Sequence, residues 1–109
     1  MRKANLGPQH SITSVRKDRN GEVLKVTVQL PMQFGWFERV RLNVVSNGSF
    51  DLNSVQYDIP HVRNDDTTEY AIFETEIYLA TSALYYYYFS YDCNGQHFRM
   101  KKKDVTGNS

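Results

Sequence analysis

The run Leu84-Tyr85-Tyr86-Tyr87-Tyr88-Phe89-Ser90-Tyr91, continued by Asp92-Cys93-Asn94-Gly95 and Gln96-His97-Phe98-Arg99, decides the fold of this chain. Aromatic side chains favour a pleated strand, and a run aromatic at almost every position needs cover or contact on both faces. Asn-Gly at the centre of a two-residue loop supplies the positive φ angles of a type I′ hairpin, which predicts pairing of 84–91 with 96–101. Alternation places Tyr85, Tyr87, Phe89 and Tyr91 inward and leaves Tyr86 and Tyr88 on the outside.

Upstream of this hairpin the apolar residues also recur with period two. In 70–79, Ala71, Phe73, Thr75, Ile77 and Leu79 share one face, and Glu74 and Glu76 share the other. In 39–45, Val40, Leu42 and Val44 turn inward and Arg39, Arg41 and Asn43 outward. Leu24, Val26, Val28 and Leu30 form the inner face of 22–30. Shorter strands are predicted at 55–59, where Pro60 ends the ladder, and at 10–15, joined to 22–30 through Asp18-Arg19-Asn20-Gly21. These are about seven short strands with turn signals every ten or so residues, the arithmetic of an immunoglobulin-like antiparallel β-sandwich. The stretches 31–37 and 61–68 read as long connections, the second carrying the polar turn cluster Asn64-Asp65-Asp66-Thr67-Thr68.

With 109 residues the chain is one domain, too short for a multidomain enzyme. Its expected layout is an N-terminal extension at 1–8, the sandwich at 9–101 and a linker at 102–109, which suggests a piece excised from something longer. A single cysteine excludes an internal disulfide and any multi-cysteine zinc site. Thirteen basic residues against twelve acidic ones leave a charge of +1, which argues against a nucleic-acid binder. No apolar stretch is long enough for a signal-peptide core or a membrane span, and the reading is a cytoplasmic-type domain with no membrane partner.

Chemistry-bearing constellations are sparse. Glu74 and Glu76 stand about 7 Å apart on one strand face, a distance compatible with glycoside hydrolysis, but that face is the solvent face. Asp65-Asp66 falls short of a calcium loop. His10, His61 and His97 lie in three segments without metal-ligand spacing, there is no G-x-S-x-G elbow, and Asp92 beside Cys93 would raise the thiol pKa. Neither catalytic residues, nor a metal site, nor a cofactor is assigned. What remains is an aromatic excess: eight Tyr, six Phe and one Trp. Flat exposed rings suit sugar faces and protein interfaces equally well. Tyr86 and Tyr88 are one such group. Phe34-Gly35-Trp36-Phe37 is another, which either contacts a partner or plugs the end of the sandwich.

The succession Tyr70-Ala71-Ile72-Phe73-Glu74-Thr75-Glu76-Ile77, then Leu84-Tyr85-Tyr86-Tyr87-Tyr88-Phe89, Asn94-Gly95 and His97-Phe98, resembles the end of the N-terminal immunoglobulin-like domain of α-amylase-family enzymes. The similarity is to the neopullulanase, cyclomaltodextrinase and maltogenic amylase group, and Val26-Thr27-Val28-Gln29-Leu30 and Val40-Arg41-Leu42-Asn43-Val44 fit that domain's second and third strands. Ser46-Asn47-Gly48-Ser49-Phe50 departs from the Gly-Asp-Pro-aromatic stretch often found after the third strand. The resemblance implies a noncatalytic module of a starch-degrading glycoside hydrolase, whose carboxylates would reside on a separate (β/α)₈ barrel of about 250 residues. It implies weak contact with α-1,4-glucan or maltodextrin, docking on the parent's barrel, or homodimerisation, with Trp36, Tyr86 and Tyr88 as the contacts. The alternative is a pure protein-protein interaction module with no sugar affinity.

Overall fold

A computed structural model describes residues 7–47, 52–80 and 85–100, with the backbone alone described at 46, 47, 52–54, 85 and 86. Among the described residues there are eight strands: β1 (Gln9–Lys17), β2 (Gly21–Pro31), β3 (Phe37–Asn47), β4 (Leu52–Asp58), β5 (His61–Asp65), β6 (Tyr70–Ala80), β7 (Tyr85–Cys93) and β8 (Gln96–Arg99). They form two four-stranded antiparallel sheets, ordered β1-β2-β6-β5 and β4-β3-β7-β8. This is the immunoglobulin arrangement, ABED on one layer and CFG on the other, with β4 as an added strand beside C. The expected extension, the end of the sandwich at 101 and the linker fall wholly or largely outside the described residues.

The four central strands build the core. Val26, Val28 and Leu30 of β2 and Ala71, Phe73 and Ile77 of β6 face Val40, Leu42 and Val44 of β3 and Phe89, Tyr91 and Cys93 of β7. Apart from Cys93, expected only at the hairpin corner, these are positions that alternation predicts, because a period of two fixes which residues leave water once one face is covered. The hairpin is as expected, with Asn94 at φ 51° and Gly95 at φ 86° between the paired Cys93 and Gln96.

Four expectations are corrected. The stretch after Pro60 is not all connection, since His61–Asp65 forms edge strand β5. Its mainly exposed side chains leave no apolar alternation to read, and backbone pairing to β6 with the packing of His61 on Phe73 holds it. Pro60 itself marks the crossing between layers: the Ile59 amide donates to the Val40 carbonyl at 2.8 Å, and the Glu74 amide donates to the Pro60 carbonyl at 3.0 Å. Second, the 31–37 connection contains a 3₁₀ turn, Met32–Phe34. Third, Tyr87 takes the inner face but is 43% exposed, because the core on β7 ends at Phe89 and Tyr87 stands beyond it. Fourth, Asn43 faces outward yet is only 1% exposed, enclosed by neighbours on the same face.

Candidate functional site

The Phe34-Gly35-Trp36-Phe37 segment divides by direction. Phe37 opens β3 and turns inward, packing edge-on to Phe73 and Tyr91 with ring centroids 6.3 and 5.7 Å away. Trp36, one residue earlier, points the other way and is 69% exposed. The plugging reading thus holds for Phe37, which closes the core end, while Trp36 stands in solvent.

Trp36 is nevertheless held. Its amide donates to Asn94 Oδ1 at 3.0 Å, and its carbonyl accepts the Asn94 amide at 3.0 Å. Asn94 Nδ2 donates to the Phe34 carbonyl at 3.0 Å, so one hairpin residue ties both ends of the turn. The indole Nε1 donates to Glu38 Oε2 at 3.0 Å. Gly35 lies at φ 123°, and a Cβ there would come within 2.5 Å of the Asn94 side chain, so this turn requires glycine.

From Trp36 a polar network runs onto the outer face of the second sheet. Arg39 has φ 50° at a β-bulge, where the register with β7 slips between Glu38 and Arg41. Its guanidinium lies 3.9 Å from Glu38 and donates through Nε to Asp92 at 2.9 Å. The other Asp92 oxygen meets His97 Nδ1 at 2.8 Å. The His97 hydrogen bond, followed by the charges of Arg39, His97 and Arg41, holds the Asp92 carboxyl below the ordinary carboxylate range, against partial desolvation that pushes it up.

The next rows of the face are closed by hydrogen bonds. Asn43 Nδ2 donates to Ser90 Oγ at 3.0 Å, and Gln56 Nε2 donates to Asn43 Oδ1 at 2.8 Å. Arg41 donates through Nε to Asp58 at 3.0 Å and through Nη1 to Gln56 at 3.2 Å. A depression of about 350 Å³ opens over these residues, lined by polar and charged residues together with Tyr88, their aliphatic stems and rings as well as their polar groups.

Of the three residues expected to make contacts, Trp36 is exposed as expected. Tyr88 is not freely exposed, since the Arg99 guanidinium carbon sits 3.9 Å above its ring centroid. A cation supplied by the neighbouring strand covers the ring, which alternation alone does not reveal. The Tyr86 side chain lies outside the described residues, although its backbone pairs with Val45. Trp36, in the connection just before β3, and Tyr88, on β7, stand at opposite ends of the network.

Glu74, Asp65, Cys93, His10 and His61 have structural partners. Glu74 pairs with Lys25 at 3.5 Å, Asp65 Oδ1 accepts the Thr67 amide at 3.0 Å, and Cys93 is buried with its Sγ 3.4 Å from the Phe34 carbonyl. His10 and His61 pack on Phe89 and Phe73. Among the described residues no group of three or more His, Cys, Asp or Glu stands together as metal ligands, and no helix is long and apolar enough to cross a membrane.

Sequence reasoning placed Arg39, Arg41 and Asn43 outward but did not assemble the site. The unused signal was the register that follows from the Asn-Gly turn, which sets Asp92 opposite His97 and Ser90 opposite Arg99. Comparison with known proteins adds nothing to this geometry: no family model, no curated protein and no solved structure matches the chain.

Proposed function

We propose that this sandwich is a noncatalytic contact module acting in a cytoplasmic setting, with Trp36 as the contact and α-1,4-glucan as its ligand. The observation that carries the reading is an indole 69% exposed yet tied at its amide, its carbonyl and its Nε1. A ring already fixed in place loses little entropy when a sugar face packs on it, and such a stack contributes about 1–3 kcal/mol by comparison with base stacking. Affinity is accordingly weak. The resemblance to the N-terminal domain of α-amylase-family enzymes points to the same ligand, with a glycoside hydrolase barrel as the parent.

Titration with maltoheptaose tests this, because Trp36 is the single tryptophan and its emission reports on that ring alone. A saturable change at millimolar sugar is expected, with amide shifts at Asn94 and Glu38 that vanish in Trp36→Ala. No response at millimolar sugar retires the glucan.

A second reading, docking on a barrel or on another copy, is favoured by Tyr78, which is 51% exposed on the outer face of the other sheet. Sedimentation that depends on concentration and is abolished in Tyr78→Ser would support self-association through this ring. An unchanged monomer would remove it.

A further inference from the structure

The outward row Asp58, Arg41, Ser90, Arg99 crosses β4, β3, β7 and β8 in register. At a strand spacing of about 4.8 Å, the backbones of Arg41 and Arg99 stand about 10 Å apart with Ser90 between them. Ser90 is buried and the shortest side chain of the row, so two long cations flank a notch.

The charges around that notch are unequally satisfied. Arg39, Arg41 and Arg99 line the depression against one carboxylate, Asp92. Both Asp92 oxygens are engaged, by Arg39 Nε and His97 Nδ1. Asp58 stands on the far side of Arg41 and takes its Nε, while Gln56 takes Nη1. Arg41 Nη2 and every N–H of Arg99 are left without a protein acceptor among the described residues. The Tyr88 ring fixes the Arg99 charge without accepting from its edge, the arrangement that leaves a guanidinium fork open for carboxylate or phosphate oxygens.

We infer that this notch binds an oxyanion, a carboxylate or a phosphate monoester, carried on a single sugar unit. The depression of about 350 Å³ is at the small end for ligand sites. Gln56, His97 and Tyr88 around it offer hydrogen-bonding groups and one ring, which suit a polyhydroxyl body better than an apolar one. The inference is independent of stacking at Trp36.

The test follows arginine Nε–Hε resonances at low salt during titration with glucose 6-phosphate, glucuronate, inorganic phosphate and neutral glucose. Saturable shifts at Arg41 and Arg99 are expected with the acidic sugars, weakening as salt rises. Loss of one charge-assisted contact in Arg99→Gln should reduce affinity about tenfold, while Arg16→Gln on β1 leaves it unchanged. Tighter binding of glucose 6-phosphate than of phosphate supports the sugar-borne anion. Equal binding by the two supports the oxyanion site and makes a free anion its occupant. Equal shifts with neutral glucose, no shift with any anion at about 10 mM, or an Arg99→Gln variant that binds as wild type would overturn the inference.

Discussion

Asn94→Gly separates the clamp on Trp36 from the hairpin that supplies it. Glycine adopts the left-handed conformation that Asn94 holds at φ 51°, so the turn between Cys93 and Gln96 survives. What disappears are the bond from the Trp36 amide to Oδ1 and the bond from Nδ2 to the Phe34 carbonyl, both 3.0 Å. Two exposed neutral hydrogen bonds, together with the freer unfolded chain that glycine brings, predict a loss of about 1–3 kcal/mol in urea unfolding. The more telling change is local. With its turn untied, Trp36 should show lower fluorescence anisotropy and faster acrylamide quenching, and glucan affinity should fall because the ring must now be ordered on binding. Anisotropy and quenching identical to wild type, in a variant that has lost both bonds, would mean that the indole is held by something other than this clamp, and the argument for a preorganised platform would fail.

Three further outcomes are expected. Phe89→Ala empties a site only 2% exposed at the centre of the core, and should cost about 3–5 kcal/mol in chemical denaturation; a loss below 1 kcal/mol would show that the sheets collapse onto the gap. Asp92 has a folded pKa depressed below the unfolded value of about 3.9, so its stabilising contribution is present above that pH and is lost as pH falls through the lower folded value; urea midpoints of wild type and Asp92→Asn should converge in that acid range, and a constant gap down to the lowest pH would contradict the pairing with His97 and Arg39. Gly21→Ala places a Cβ against the Tyr78 ring and 2.7 Å from the Leu79 carbonyl, and should lower stability by about 1–3 kcal/mol; the double variant with Tyr78→Ala should recover only part of it, since the backbone carbonyl cannot swing aside, and full recovery would place the whole clash on the ring.

How much of this was legible depended on the range of the interaction. Val26, Val28, Val40, Leu42, Phe73 and Phe89 were readable as core because a strand has only two faces, and burying one of them imprints a period of two on the sequence itself. The Cys93–Gln96 turn was readable because Asn-Gly satisfies a local backbone requirement. Strand β5 was not, since an edge strand with a wet surface carries no hydrophobic pattern and forms only because β6 offers it a ladder.

The candidate site lay further from view. Alternation sent Tyr88 outward but could not say that Arg99 would cover it, and it turned Asn43 outward, whereas Gln56, Tyr88 and Ser90 enclose it. The left-handed Arg39 leaves no trace in composition; the bulge that aims it at Asp92 exists only when β3 and β7 pair. The order of residues along the chain thus determined an all-β sandwich, its inner faces and its hairpin, because those depend on neighbours a few positions apart. Tertiary pairing alone decided that Asn94 would pin Trp36 and that Arg41 and Arg99 would converge over Ser90, because those contacts join segments that sequence distance keeps separate.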